Sequence, residues 1–512
     1  MRRVMMLVVA VGIVGLAWGQ DEDGGPGRAV ARISLMNGDV SVGRGDSGDA
    51  MAGAVNAPLM AGDRLLTGAD SRAEVQLDSA NMVRLAPLSE VRFAALENQS
   101  YQLQLARGMV TFRWLRDSNA QVEISTPILS VRPLVQGGYR IAVREDGTAE
   151  ITVRSGEAEV ATARGSERLQ PGRTMLVRGT ATEAEFQMQA PAALDEWDRW
   201  NANRDRQLEQ SRSYAHVSRE ISGAEDLDSN GTWVDTPSYG PCWYPRVAAD
   251  WAPYRDGRWS WLDWYGWSWV SYDPWGWAPY HYGRWFYNAG FGWGWWPGYG
   301  YRRHYWSPGL VAFVGWNSWG GIGWFPLAPY ERYHPWYGSR YLGRDVSVVG
   351  AYRNAGIHNA VTGVDGRGFV NGRRGSAVSM NNASLVRGAL AVTPGRESMR
   401  FSDREVGANS LPQSRNGTRF FSRGQTGRAQ ATPQGWGRFG GSWSARGGER
   451  GQIYRGNSGG YSRPAPSTSG RSYSQSAPSR SGGSTSRSAP SYSGGGGHSS
   501  GGGGSSHGGG RR

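Results

Sequence analysis

The residues of this chain best suited to chemistry lie in two copies of one phrase, Trp251-Ala-Pro-Tyr254-Arg-Asp-Gly-Arg258-Trp259 and Trp277-Ala-Pro-Tyr280-His-Tyr-Gly-Arg284-Trp285. Indole and phenol rings offer flat apolar faces with a polar edge, and a guanidinium can pair bidentately with an anionic group. Trp251, Tyr254, Arg258, Trp277, Tyr280 and Arg284 are therefore the candidate ligand-binding set. They would form two similar platforms for peptidoglycan, another polysaccharide or an envelope polypeptide. The competing reading is that such rings fill the core of a repeat with few aliphatic residues, and Trp259, Trp269, Trp285 and Trp295 read that way. Nineteen Trp between 224 and 343 exceed what so small a core can bury completely, which leaves some rings for the surface.

Other constellations carry less. Asp226-Leu-Asp228-Ser-Asn230-Gly231 opens like a calcium loop, but its twelfth position is Pro237 where a bidentate Glu is required, so it reads as a capped turn. His281, His304 and His334 stand at no metal-ligand spacing. Gly456-Asn-Ser458-Gly-Gly460 has the letters of a nucleophile elbow without a flanking strand and helix. Cys242 is the one cysteine, which excludes an intrachain disulfide, and it reads as a small apolar residue within a repeat. No cofactor, metal or catalytic set is implied, and the chain is not expected to be an enzyme.

The phrases belong to a longer period. Trp233, Trp259 and Trp285 are 26 residues apart. Six residues into each unit comes Tyr239-Gly240, Tyr265-Gly266 or Phe291-Gly292, and ten residues in comes Trp243, Trp269 or Trp295. Such a period implies one supersecondary unit, copied and stacked so that neighbours bury its face.

Arg2-Arg3, the apolar run Val4–Leu16 and the small residues Ala17 and Gly19 predict a signal peptide over residues 1–19 and hence export to the periplasm, cell surface or medium. No later segment reads as a transmembrane helix. The net charge of +13 is concentrated near the C-terminus, where residues 401–512 hold fifteen of the 56 basic residues against three acids. The rest is near neutrality, which argues against a sequence-specific nucleic-acid surface. Residues 410–512 are Gly, Ser, Arg and Pro, a composition predicting disorder and salt-sensitive, non-specific contact with polyanions.

Between the two extremes, residues 30–188 read as β throughout: alternating runs at Ala31–Met36, Asp39–Val42, Ala73–Leu77, Met82–Leu85, Val91–Ala94, Tyr101–Leu105, Met109–Trp114, Gln121–Ile124, Tyr139–Val143, Ala149–Val153, Ala158–Ala161 and Thr174–Val177. Asn37-Gly38 signals a hairpin and Gly108 a turn. The stretch Gly62-Asp-Arg-Leu-Leu-Thr-Gly-Ala-Asp-Ser-Arg-Ala-Glu-Val-Gln-Leu77, then Val83-Arg-Leu-Ala-Pro-Leu-Ser-Glu-Val91, Leu103–Val110 and Val153-Arg-Ser-Gly-Glu-Ala-Glu-Val160 resembles the FecR-like extracytoplasmic domain. That resemblance implies a β-sandwich or β-roll and, in many members, a sensor joined through a membrane helix to a module controlling a sigma factor. Here Gly137-Gly138-Tyr139 replaces the family's Gly-Thr-x-Phe, and neither a preceding cytoplasmic module nor an internal membrane helix is read. Sigma-factor control is therefore not carried over. From Trp197-Asp-Arg-Trp200 through the repeats and Trp324-Phe-Pro-Leu-Ala-Pro329 to about residue 400, the chain resembles an uncharacterised Trp/Pro/Gly-rich domain of secreted bacterial proteins.

The expected organisation is mainly β: signal peptide 1–19, FecR-like domain 30–188, helical spacer 191–222, Trp-rich domain 224–343, an extension of little regular structure at 344–409, and tail 410–512. In the spacer, Leu194, Trp197 and Leu208 would form one face, either free between domains or packed on a neighbour. The function expected is cell-envelope binding or scaffolding by aromatic repeats and a polycationic tail. The alternative is a sensor or regulator in FecR-like signalling.

Overall fold

The computed structural model describes residues 29–97, 99–300, 303–316, 321–331, 333, 352–378, 385–386, 396–405, 417–422 and 437–438. The expected signal peptide, His334, the Gly456–Gly460 phrase and most of residues 410–512 lie outside that set.

Residues 31–189 fold into seventeen strands forming two β-layers that share one strand. Ser100–Trp114 is that strand. Its first half pairs with Glu90–Glu97 and, in parallel, with Gln121–Ser125. Its second half pairs with Asn81–Leu85 and Gly137–Val143. Gly108 marks the crossing between layers at φ 78°, where a Cβ would meet Ser89 at 2.4 Å, so no other residue fits without rearrangement. The expected turn at Gly108 is thus a bend within one continuous strand. One apolar core lies between the layers, built from alternate residues such as Ile33, Val75, Phe93, Leu103, Phe112, Ile141, Val153 and Val177.

Asn37-Gly38 does not close a hairpin. Ala31–Asn37 pairs with Pro58–Leu59 and Arg72–Gln76, whereas Val40–Gly43 pairs with Ala50–Ala52 and Arg64–Thr67 in the other layer. A tight type I′ turn needs positive φ at both central residues, and here Gly38 has it while Asn37 does not. The turn is a corner that carries the chain from one layer to the next.

The helix runs Glu196–Glu209, capped by Asp195, whose side chain accepts from Asp198 N while Asp198 accepts from the Asp195 backbone. It is not a free spacer. Asn201, Asp205 and Leu208 are buried, and Trp197 donates from Nε1 to Thr111 Oγ1 at 2.8 Å. Leu194 precedes the cap and stays 66% exposed, so the expected apolar face reduces to Trp197 and Leu208. Charge does the docking instead: Arg84 reaches Glu74 and Asp205 at 2.7 Å each, Arg204 reaches Glu74 at 2.9 Å, and Arg154 reaches Asp198 at 2.6 Å.

Each 26-residue unit is one β-hairpin. Gly231–Thr236 pairs with Gly240–Pro245, Gly257–Leu262 with Gly266–Ser271, and Arg284–Asn288 with Gly292–Trp296. The repeated Trp are cross-strand partners, Trp233 with Trp243, Trp259 with Trp269 and Trp285 with Trp295. The repeated Gly240, Gly266 and Gly292 sit at the turns with φ of 69°, 75° and 78°. Space completes the pattern: a Cβ on Gly231 or Gly257 would meet the ring of Trp243 or Trp269 at 2.4 and 2.5 Å. A fourth hairpin, Val311–Trp316 with Gly321–Pro326, keeps the register with Phe313 opposite Trp324.

The hairpins do not stack in chain order. The first joins the third through Trp243 opposite Trp295, and the second pairs with neither. All four close around one aromatic core that includes Trp243, Trp259, Trp269, Trp285, Trp295 and Trp324. Edge-to-face and tilted contacts recur in it, such as the edge-to-face pairs Trp243–Trp275 at 4.9 Å and Trp259–Trp269 at 5.2 Å, each worth about 0.5–1.5 kcal/mol beyond area burial. Part of the expected irregular extension is ordered: Thr362–Asp365 adds to the fourth hairpin and leads into the short helix Gly366–Val370. Phe401 is buried in the core of the first domain, Phe421 N donates to Thr126 O at 3.0 Å, and Arg438 lies opposite Glu185 on strand Ala184–Gln189.

Candidate functional site

The six residues expected to bind ligand are inside the hairpin domain. Tyr254, Trp277 and Tyr280 are fully buried, Arg258 and Arg284 are at most 9% exposed, and Trp251 is half-buried. Tyr254 Oη donates to Tyr280 O at 2.7 Å and accepts from Leu310 N at 2.9 Å, and Tyr280 Oη donates to Asp273 at 2.9 Å. Arg258 meets Asp403 at 3.1 Å, and Arg284 donates to the carbonyls of Glu331 and Gly283. The repeated phrases are therefore struts that tie the connections between hairpins together, which corrects the expectation of two solvent-facing platforms. Trp259, Trp269, Trp285 and Trp295 are core, as their reading required. Cys242 is buried too, and burial pushes its thiol up to about 11. His281 stacks on Trp306 and lies tilted against Trp277, its Nδ1 donates to Ser307 O at 2.7 Å, and burial lowers it to about 3.

The place where the fold concentrates charge is the joint between the β domain and the hairpin domain. Arg32, on the first strand, is completely buried. It donates to Asp226 at 2.6 Å, to Glu225 at 3.2 Å and to Gln76 at 2.6 Å. Gln76 and Tyr214 also donate to Glu225, at 2.8 and 2.7 Å. Both acids lie on the 3₁₀ turn Ala224–Leu227, which leads directly into the first hairpin. Asp228 accepts from the backbone of Arg212 and Ser213, so the two acids of the phrase that opened like a calcium loop, Asp226 and Asp228, hold an arginine and two amides. Asn56 Nδ2 adds a bond to Asp273 O across the same joint, at 2.9 Å.

Burial pushes Asp226 up to about 6, against the pull of Arg32. Glu74, in the helix-docking network beside it, behaves oppositely. Burial would raise it, but Arg84 and Arg204 outweigh that and hold it at about 2. A cleft of about 490 Å³ opens beside the joint, with Ser34 and Met36 on the β domain, Arg204 and Gln207 on the helix, and Asp226 and Asn230 on the hairpin side. Three elements thus meet over one buried ion cluster, and a displacement of either domain must break charged contacts inside low-dielectric surroundings. Reasoning from sequence missed Arg32 because it sits in an alternating strand as an ordinary outward-facing residue. Its one signal was the acidic pair Glu225-Asp226 ahead of the first repeat, far away in the chain.

Residues 63–159 match the FecR protein family, and residues 224–331 match a family of unknown function, DUF6600. The chain thus carries a FecR domain followed by an uncharacterised domain. Two crystal structures of a candidate anti-sigma factor from Parabacteroides distasonis ATCC 8503 align at 20% identity with a TM-score of 0.23. The alignment covers 25% of this chain and 60% of theirs. Among curated proteins none matches. No helix among the described residues is long and apolar enough to cross a membrane.

Proposed function

We propose that the chain is an exported, non-enzymatic regulatory component of the FecR type, in which the hairpin domain takes an input and the FecR domain reports it to a protein partner. The FecR match at residues 63–159 supports the regulatory class. The observation that carries the reading is the joint: Arg32 of the β domain is held by Glu225 and Asp226 at the root of the hairpin domain, and the helix Glu196–Glu209 is clamped on the β domain by buried charges. Domains within a chain move independently by default unless their interface is large or strongly held. A buried ion cluster makes the two a single mechanical unit, so occupancy of one biases the other.

The test is genetic. A deletion strain, complemented with wild type or with Glu225→Gln/Asp226→Asn, is profiled for transcription under envelope stress. Deletion should change a defined gene set, wild type should restore it, and the joint variant should fail while being exported at the same level. An unchanged transcriptome in the deletion strain refutes the proposal.

A further inference from the structure

Beyond the fourth hairpin the chain returns to the β domain. Arg396–Met399 forms one 3₁₀ turn, and Phe401 follows it, completely buried. Phe401 belongs to the apolar cluster of the β domain, and so do Leu262, Tyr265 and Val270 of the second hairpin. The guanidinium of Arg44, itself buried and paired with Asp63 at 2.9 Å, lies over the Phe401 ring at 5.6 Å. On the hairpin side, Ser260 Oγ donates to Met399 O at 3.2 Å and Arg258 Nη1 donates to Asp403 at 3.1 Å. Residues 398–403 thus fill a slot with the β domain as one wall and the second hairpin as the other.

Two observations mark this segment as a seated ligand and not as framework. The second hairpin pairs with no strand but its own, and no strand pairing among the described residues includes residues 396–405. No backbone ladder therefore fixes the slot or its occupant. The ion pair, in turn, is lopsided: the Arg258 side chain is 1% exposed, whereas that of Asp403 is 80% exposed. The cation belongs to the fold, and a carboxylate is brought to it at the surface from 145 residues further along the chain. An acid so exposed gains little from the pairing. A buried guanidinium that loses an anion is left at a high cost, so the vacated slot favours another carboxylate.

We infer that the slot between the β domain and the second hairpin is a docking site for an extended peptide, held closed by the chain's own residues 398–405. The peptide it fits has an aromatic residue followed two positions later by an acid, the pattern of Phe401-Ser-Asp403. The ring enters beneath Arg44 and the carboxylate caps Arg258. One buried aromatic anchor with one charged contact is a common way for a short segment to be held. The anionic partner expected for Arg258 is thus present in the same chain. A tethered occupant competes at an effective concentration on the order of millimolar, which an incoming peptide must outmatch. The site is assayed on purified protein, so its failure and the failure of the regulatory reading are separate results.

The test measures, by fluorescence anisotropy, the affinity of a labelled peptide with the sequence of residues 396–405 for the full chain. Wild type should bind it about tenfold or more weakly than Phe401→Ala/Asp403→Ala, whose own segment no longer competes. The same peptide carrying Phe401→Ala should bind that double variant about tenfold or more weakly, because its anchor is gone. Native-state hydrogen exchange on wild type gives a second readout that needs no substitution. A releasable segment exchanges through a local opening, so residues 398–405 should exchange about tenfold or more faster than the core strand around Val110 and Phe112. The inference is overturned if the double variant does not bind the peptide, or if wild type binds it equally well. It is also overturned if the double variant does not fold, or if residues 398–405 exchange only as fast as that strand, since either result makes the segment a fixed part of the core.

Discussion

Replacing Arg32 by Met tests the joint most directly. The substitution keeps an unbranched apolar stem but removes the cation from beneath Asp226, at 2.6 Å, and Glu225, at 3.2 Å. Breaking one side of a buried ion pair strands the other charge and costs about 3–5 kcal/mol. For units of this size, 1 kcal/mol shifts the midpoint by roughly 2–4 °C, so the loss should lower it by roughly 6–20 °C. The effect must also depend on pH. Asp226 already titrates at about 6 in the folded chain because burial disfavours its charge, whereas an unfolded Asp titrates near 3.9. Its folded value is the higher one, so the stability it contributes is complete below about pH 4 and is lost as pH rises through about 6. Without Arg32 the carboxyl moves further up and the loss extends to higher pH. Calorimetry of wild type and Arg32→Met at about pH 5 and about pH 8 should therefore show the larger difference at the higher pH. It should also show the two domains unfolding as separate transitions in the variant. Adding Asp226→Asn should recover part of the loss, with a coupling of about 0.5–3 kcal/mol. A shift below about 1 kcal/mol, equal at both pH values, would refute the idea that this cluster holds the domains together.

Further consequences follow from the same geometry. Glu74→Gln should remove a source of acid sensitivity: the carboxylate is held at about 2, below its unfolded value, so the stability it contributes is present above about pH 4.5 and lost on acidification toward 2, a slope that denaturant titration should find flattened in the variant. Trp295→Ala, which empties a fully buried site and frees Tyr282 O from the indole N–H, should cost about 3–5 kcal/mol by calorimetry, and a cost under about 1 kcal/mol would show that the core tolerates the loss of this ring. Gly266→Val forces a β-branched residue to φ 75° and should destabilise by about 1–2 kcal/mol or more, whereas the same change at Gly300, with open space around it and no positive φ, should be nearly silent. The Cys242 thiol, pushed up to about 11 and buried, should resist a thiol reagent at neutral pH in the native state and react at once in denaturant, and rapid native labelling would contradict its position in the sheet.

What the amino-acid sequence alone determined is local. Alternation in residues 31–177 marked most strands of the β domain, because each strand has one face in the core and period two is visible without knowing its partner. The Trp period marked the hairpins, because both the turn glycine and the cross-strand indole pair fall within one unit of 26 residues. Tertiary structure alone decided everything that depends on distant partners. Asn37-Gly38 became a corner because its flanking strands find better partners in two different layers. The first hairpin joined the third because indoles fill space by shape and not by chain order. Tyr254 and Tyr280 went inside while Tyr239 and Phe286 came to the outer face, although all four are aromatic residues near Gly or Pro. Ring chemistry is the same in either place; which side of a sheet a ring occupies is set by register and by what packs behind it, and those are properties of the assembled fold.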